Sequence, residues 1–374
     1  MRILILANDF KTLFNFRMEL LERFIKEKFE VVLSLPKDEK NQAFRDIGCT
    51  VVENNLTRHG TNPLKELKLI KEYKTLIKNV NPDVVLTYTV KPNIYGSIAC
   101  RKCKVPVLNN ITGLGSTMQS KGLKQSVMFF LMRYAMKSSE VIFFQNEENM
   151  KLLNQNKIRG RASVLLPGSG VNTKKHAFVP YPEENGKIKF IIVSRLRQDK
   201  GFDELFYAIK KLSKRDDVEF NVVGWCEEDR YQKEIADLCE EYPVIYHGEK
   251  TQTQVHDLIS QCHCIIHPSY HEGMANVLME ASSAGRGCIA SDISGCKEII
   301  DVNESGYTFP VKNGEKLLES IEKFISLSEN ERKTMGENAR KKIEKEFDRQ
   351  IVIDMYLENI NKTVNKGEKN NVFV

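Results

Sequence analysis

Two cations and two carboxylates, each pair closely spaced, are the residues of this chain best suited to chemistry. Arg195 and Lys200 stand in Ser194-Arg195-Leu196-Arg197-Gln198-Asp199-Lys200-Gly201, directly after the apolar run Phe190-Ile191-Ile192-Val193. A helical pattern starts at about Phe202. A strand end that feeds an Arg fork and a Lys point charge into a loop suits a diphosphate. Glu272 and Glu280 stand in His271-Glu272-Gly273-Met274-Ala275-Asn276-Val277-Leu278-Met279-Glu280. This stretch lies between the apolar run Cys264-Ile265-Ile266-His267-Pro268 and a short helix stopped by Gly285. At about 100° per residue the two carboxylates fall about 80° apart around a helix, so they do not stack on one face. A ligand lying across the helix start fits better. Backbone N–H groups of Gly273, Met274, Ala275, Asn276 and Val277 would meet a phosphate or sugar there. One carboxylate at each end would hold hydroxyls. Each stretch taken singly also has an ordinary reading, as a capped helix with a solvated Glu and as a pair of solvated loop cations.

These residues need a scaffold, and the chain alternates strand and helix patterns throughout. Residues 3–7, 30–36, 49–52, 83–88, 106–108 and 141–144 read as strands, with the last expected to close a first sheet. Helices are expected over about 14–28 and 63–79. Residues 122–137 form the most apolar helix candidate, punctuated by Lys121, Lys124, Arg133 and Lys137. A helix apolar all round is expected to be buried. Pro180 and Pro182 mark residues 176–187 as a linker. Strands then recur near 189–193, 218–223, 244–246, 263–267 and 287–290, a rhythm that implies a parallel sheet covered on both faces. A charged helix spans about 329–345, a last apolar-periodic helix spans 351–360, and residues 363–374 are expected to fray. The loop after the first strand, Asn8 to Thr12, holds no glycine. A dinucleotide fingerprint is therefore absent, which counts against an oxidoreductase.

The 374 residues suffice for two domains of ordinary size, and 41% hydrophobic with 28% charged residues is a soluble globular composition. The net charge of +6 suits anionic substrates or an anionic membrane surface and is too diffuse for nucleic acid. No run of about 20 apolar residues is long enough to span a membrane. The nine cysteines lack a zinc-site spacing, and with no secretory signal they point to a reducing cytosol. No Asp-x-Asp pair sits on a suitable loop, so no metal is implied, and no cofactor is expected.

Val193-Ser194-Arg195 through Lys200-Gly201, the Glu272/Glu280 pair and Gly168-Ser169-Gly170-Val171-Asn172 together resemble the family 4 retaining glycosyltransferases. The resemblance covers nearly the whole chain. It implies the α/β GT-B fold, two Rossmann-like parallel-sheet domains facing across a cleft. Residues 1–172 would bind the acceptor, helped by a C-terminal helix at about 350–366 crossing back. Residues 187–349 would bind a nucleotide sugar. Carried over, Arg195 and Lys200 neutralise the leaving nucleoside diphosphate, Glu272 sits by the donor sugar, Glu280 holds the ribose hydroxyls and Gly224 lies near the donor. Asn15 and Arg17 become acceptor candidates, as does Arg58 in an Arg/His/Asn-rich loop. Lys91 takes the place where many family members carry a histidine, and Thr112 and Gly113 open a Gly-rich turn. Arg58 to Pro63, Lys91 and Thr112 to Ser116 carry a closer likeness to bacterial enzymes that extend sugars on undecaprenyl diphosphate. The implied partners are a UDP-sugar donor, with N-acetylhexosaminyl transfer the first guess, and a polyprenyl-diphosphate-linked saccharide acceptor at the inner face of the cell membrane. Two other readings share the fold: a nucleotide-sugar 2-epimerase, and a non-catalytic nucleotide-sugar-binding scaffold.

Overall fold

A computed structural model describes residues 1–54, 63–114, 122–212 and 215–371. Two compact units emerge: residues 1–169 with 350–374, and residues 170–349.

In the first unit the strands are β1 (Arg2–Leu6), β2 (Glu30–Pro36), β3 (Thr50–Asn54), β4 (Val84–Tyr88), β5 (Val107–Ile111), β6 (Val141–Phe144) and β7 (Ala162–Leu165). They form one parallel sheet in the order β3-β2-β1-β4-β5-β6-β7. Helices α1 (Phe10–Lys26), α2 (Gln42–Asp46), α3 (Pro63–Val80), α4 (Ser97–Cys103), α5 (Leu123–Met136) and α6 (Glu147–Gln155) connect them. Alternate residues of the strands feed opposite faces. Ile3, Ile5, Val84 and Leu86 pack with Leu20, Leu21 and Phe24 of α1 on one side. Leu4, Leu6 and Val85 pack with Tyr73 and Ile77 of α3 on the other.

The second unit repeats the plan with β8 (Ile188–Val193), β9 (Val218–Val223), β10 (Val244–Gly248), β11 (Cys264–His267), β12 (Gly287–Ser291) and β13 (Gly306–Phe309). Their order is β10-β9-β8-β11-β12-β13, again parallel. Helices α7 (Phe202–Lys211), α8 (Asp229–Glu241), α9 (Gln252–Ser260), α10 (Asn276–Ser283), α11 (Gly314–Ser326) and α12 (Glu329–Lys342) cover it. Strand order reverses between β8 and β11, which are hydrogen-bonded neighbours. The loops leaving such a pair diverge above the sheet and leave a crevice for ligands. Here those loops are the Arg195–Lys200 and Glu272 stretches.

Several expectations need correction. The first sheet is closed by β7, whose Ala162–Leu165 is exposed at three of four positions and lacks a strong apolar run. The second sheet gains β13, a four-residue strand with only two buried residues. Helix α1 starts at Phe10 because Asp9 caps it, accepting from Thr12 N at 2.7 Å. The last helix, α13 (Arg349–Asn371), runs through the segment expected to fray, and Val352, Ile353, Tyr356, Leu357 and Ile360 bury on the first unit's core. The linker expected over 176–187 is tied down, with Glu184 accepting from Arg332 at 2.7 Å. The buried Arg286 guanidinium donates to Val179 O and Pro180 O and pins them to the second unit. Helix α5 is not buried all round: Leu123, Val127, Phe130 and Tyr134 are exposed. Arg58, Gly115, Ser116 and Lys121 lie outside the described residues.

Candidate active site

The loop after β8 is held by close backbone approaches that only glycine allows. Gly201, at φ +74°, ends a single 3-10 turn over Gln198–Lys200, and a Cβ there would lie 2.0 Å from Pro268 O. Gly224, at φ +142°, would place a Cβ 1.8 Å from Ser194 O. Tyr270 N donates to Asp199 O at 2.9 Å. These contacts lock the loops after β8, β9 and β11 into one rim.

Lys200 thereby reaches across the switch point. Its Nζ donates to Glu272 Oε1 at 2.6 Å and to Ser269 Oγ at 3.3 Å. His267, the last residue of β11, brings Nε2 within 3.0 Å of the same Oε1. Burial works against the Glu272 charge, but the His267 hydrogen bond and charge, followed by Lys200, outweigh it and hold the carboxyl down at about 2. Glu272 is therefore a carboxylate at neutral pH.

Arg195 lies on the same rim but does not join that knot. Its Nη1 donates to Glu227 Oε2 at 2.8 Å, and Arg197 donates to Glu227 Oε1 at 3.3 Å. The Arg195 side chain is 47% exposed, so the guanidinium can turn to a ligand at modest cost.

Helix α10 begins at Asn276, and its N-cap, Ala275, supplies no side-chain cap. Orphan amides at such an end attract anions. Ala275 N is engaged by Gly295 O at 2.8 Å, and Met274 and Ala275 are buried. The donors on offer are therefore those of the helix start itself, at Asn276 and Val277. Asn276 Oδ1 is buried with no hydrogen-bond partner. Gly295 packs against the Glu272–Gly273 turn, its Cβ position 3.0 Å from Gly273 O. Glu280 sits on the second turn of α10. Burial pushes its carboxyl up to about 7, against the pull of Arg349 and Lys175.

In the first unit the acceptor candidates sit differently. Arg17 is buried, its guanidinium over the rings of Tyr88 and Tyr356. With the Gln145 amide oriented to satisfy its neighbours, Gln145 links Thr112 O at 3.1 Å to Arg17 Nη2 at 3.2 Å. Lys91 is tied to the buried Glu66 at 2.8 Å. Asn15 lies within α1. A Cβ on Gly113 would meet open space.

Sequence reasoning missed His267, Ser269 and Glu227. His267 carried a legible signal, an imidazole at the end of an otherwise apolar strand. Ser269 and Glu227 carried none. Among the described residues, no three His, Cys, Asp or Glu side chains are grouped to hold a metal ion.

Residues 173–342 match the family described as glycosyl transferases group 1, and residues 2–146 match glycosyl transferase 4-like. The chain belongs to the glycosyltransferases of the GT-B fold. It is 26% identical over 374 residues to an N,N'-diacetylbacillosaminyl-diphospho-undecaprenol alpha-1,3-N-acetylgalactosaminyltransferase of Campylobacter jejuni, covering 96% of this chain and 97% of that one. It is 26% identical to the capsular polysaccharide biosynthesis glycosyltransferase CapM of Staphylococcus aureus, over 78% of this chain and 81% of that one. Among solved structures, a glycosyltransferase from Rickettsia africae superposes with a TM-score of 0.80 at 19% identity, covering 97% and 98% of the two chains. HepE of Anabaena, solved with UDP and glucose, superposes at 0.78 and 18% identity, covering 97% and 100%.

Proposed function

We propose that this glycosyltransferase moves a sugar, with retention at the anomeric carbon, from a UDP-sugar to a polyprenyl-diphosphate-linked saccharide. The observation that carries the donor half is Lys200 meeting Glu272 at 2.6 Å beside the uncapped start of α10. Breaking the sugar–phosphate bond leaves negative charge on a diphosphate. Lys200, Arg195 and the first amides of α10 stabilise that charge more in the transition state than in the ground state. Glu272, ionised at neutral pH, accepts hydrogen bonds from the sugar and faces positive charge growing at its ring. Glu280 accepts from the ribose hydroxyls.

The acceptor half is supported by the Campylobacter relative, whose name specifies an undecaprenol-linked diphosphate and N-acetylgalactosamine. Helix α5 supports a place at a membrane surface. Its exposed row Leu123, Val127, Phe130 and Tyr134 recurs at helical spacing, Lys124 lies beside it, and α5 contains no acidic residue. No described helix is long and apolar enough to cross a bilayer.

The test is transfer from a panel of UDP-sugars to a polyprenyl-diphosphate-linked N-acetylhexosamine, with the product's anomeric configuration read by NMR. Retained configuration is expected. Turnover without acceptor, releasing free UDP and an epimerised sugar, would overturn the reading. Flotation with phosphatidylglycerol vesicles, lost on Phe130→Glu, tests the α5 surface.

A further inference from the structure

Lys200 has two duties in the proposed reaction, and they conflict. In the structure it donates to Glu272 Oε1. With a departing diphosphate in place it must turn its charge toward phosphate oxygens. A carboxylate that loses an anchor is freer to swing. Glu272 has a second anchor on the same oxygen, His267 Nε2 at 3.0 Å. We propose that His267 is a positioning residue that keeps Glu272 aimed at the sugar while Lys200 serves the diphosphate.

The placement of His267 supports this. It closes β11, its backbone is fixed by register with Ala290 of β12, and its side chain is 6% exposed. Pro268 follows it and meets Gly201 through its carbonyl. The imidazole thus rides on the rigid sheet, whereas Lys200 rides on a loop with several free rotors. Two donors on one oxygen also fix the plane of the carboxylate, as supporting hydrogen bonds must in a preorganised site. His267 needs only an Nε2 hydrogen for this, so it works as the neutral tautomer or the cation.

The inference rests on the glycosyl-transfer reading, and the experiment separates the two. Turnover and UDP affinity are measured for the wild type, His267→Phe, His267→Gln, Glu272→Gln and the His267→Phe/Glu272→Gln double variant. His267→Phe is expected to lose at least about tenfold in kcat with UDP affinity within about twofold of wild type. His267→Gln, whose amide N–H stands near the imidazole Nε2, is expected to stay within about threefold. In the Glu272→Gln background the His267→Phe loss should vanish, because the carboxylate it steadies is gone. A loss of the same size in both backgrounds, or wild-type turnover in His267→Phe, overturns the proposal. If His267→Phe does not fold, a His267→Gln rate as low as that of Glu272→Gln overturns it. If the wild type transfers no sugar, the functional reading fails instead. The contact is then still tested by 13C titration of the Glu272 carboxyl, which should move upward by about one unit in His267→Phe. An unmoved titration overturns it.

Discussion

The two units share one plan, a parallel sheet with a switch point, but they use their polar residues oppositely. In the first unit, side chains near the strand ends turn inward. Asn109 Nδ2 donates to Thr87 Oγ1 at 2.7 Å and Ser97 Oγ at 2.8 Å, Ser139 donates to Asn109 Oδ1, and Thr87 donates to Asn93 Oδ1 at 2.6 Å. Arg17 lies under two tyrosines, and Lys91 is spent on Glu66. In the second unit the corresponding rim gathers Lys200, Glu272 and His267 on one oxygen and leaves α10 without a side-chain cap. The lesson is that a polar residue near the end of a parallel strand is not thereby a ligand contact. What separates the two is that the first unit's network closes within the buried core, whereas the second unit's lies beside a helix start that has no side-chain cap.

That contrast can be broken in four ways. Lys200→Ala is expected to lower kcat by at least about two orders of magnitude, as removing one donor to a developing anion does; a steady-state assay showing near-normal turnover would break the second unit's half. Gly201→Ala forces a Cβ to within 2.0 Å of Pro268 O at φ +74°. It should cost roughly 2–3 kcal/mol in a urea titration and remove activity with it. Asn109→Ala strands buried hydroxyls in the first unit and should cost about 2 kcal/mol of stability, while UDP affinity of the folded protein stays unchanged. A weakened UDP affinity there would mean that the network is not merely structural.

The smallest effect expected is a pH dependence. Glu280 stands at about 7, above its ordinary 4.5. Between those values the folded state holds more protons than the unfolded one, so this group's contribution to stability falls as pH rises toward and through 7. A bound ribose would stabilise the resulting carboxylate by donating its hydroxyls to it. Donor affinity should therefore rise several-fold from pH 6 to pH 8 in the wild type and stay flat in Glu280→Gln, as read by donor titration at each pH.

The second unit was the more legible in sequence for a physical reason. The loops that carry its candidate site follow continuous apolar strands, so Phe190 to Val193 and Cys264 to His267 announce where Lys200 and Glu272 must emerge. The short β7, exposed at three of its four positions, and the short β13, with two buried residues, carry no such signature. Pairing was also out of reach. Sequence puts Arg195 five residues from Lys200, yet the rim turns it to Glu227, which arrives on another strand's loop. The Lys91–Glu66 ion pair likewise joins residues far apart in the chain, so Lys91 read as available.

The most direct test compares UDP with UMP by calorimetry in the wild type and in Lys200→Ala. UDP should bind the wild type at least about tenfold more tightly than UMP, and that gap should collapse in Lys200→Ala. An equal preference for the diphosphate in both proteins would contradict the assignment of Lys200 to the leaving group.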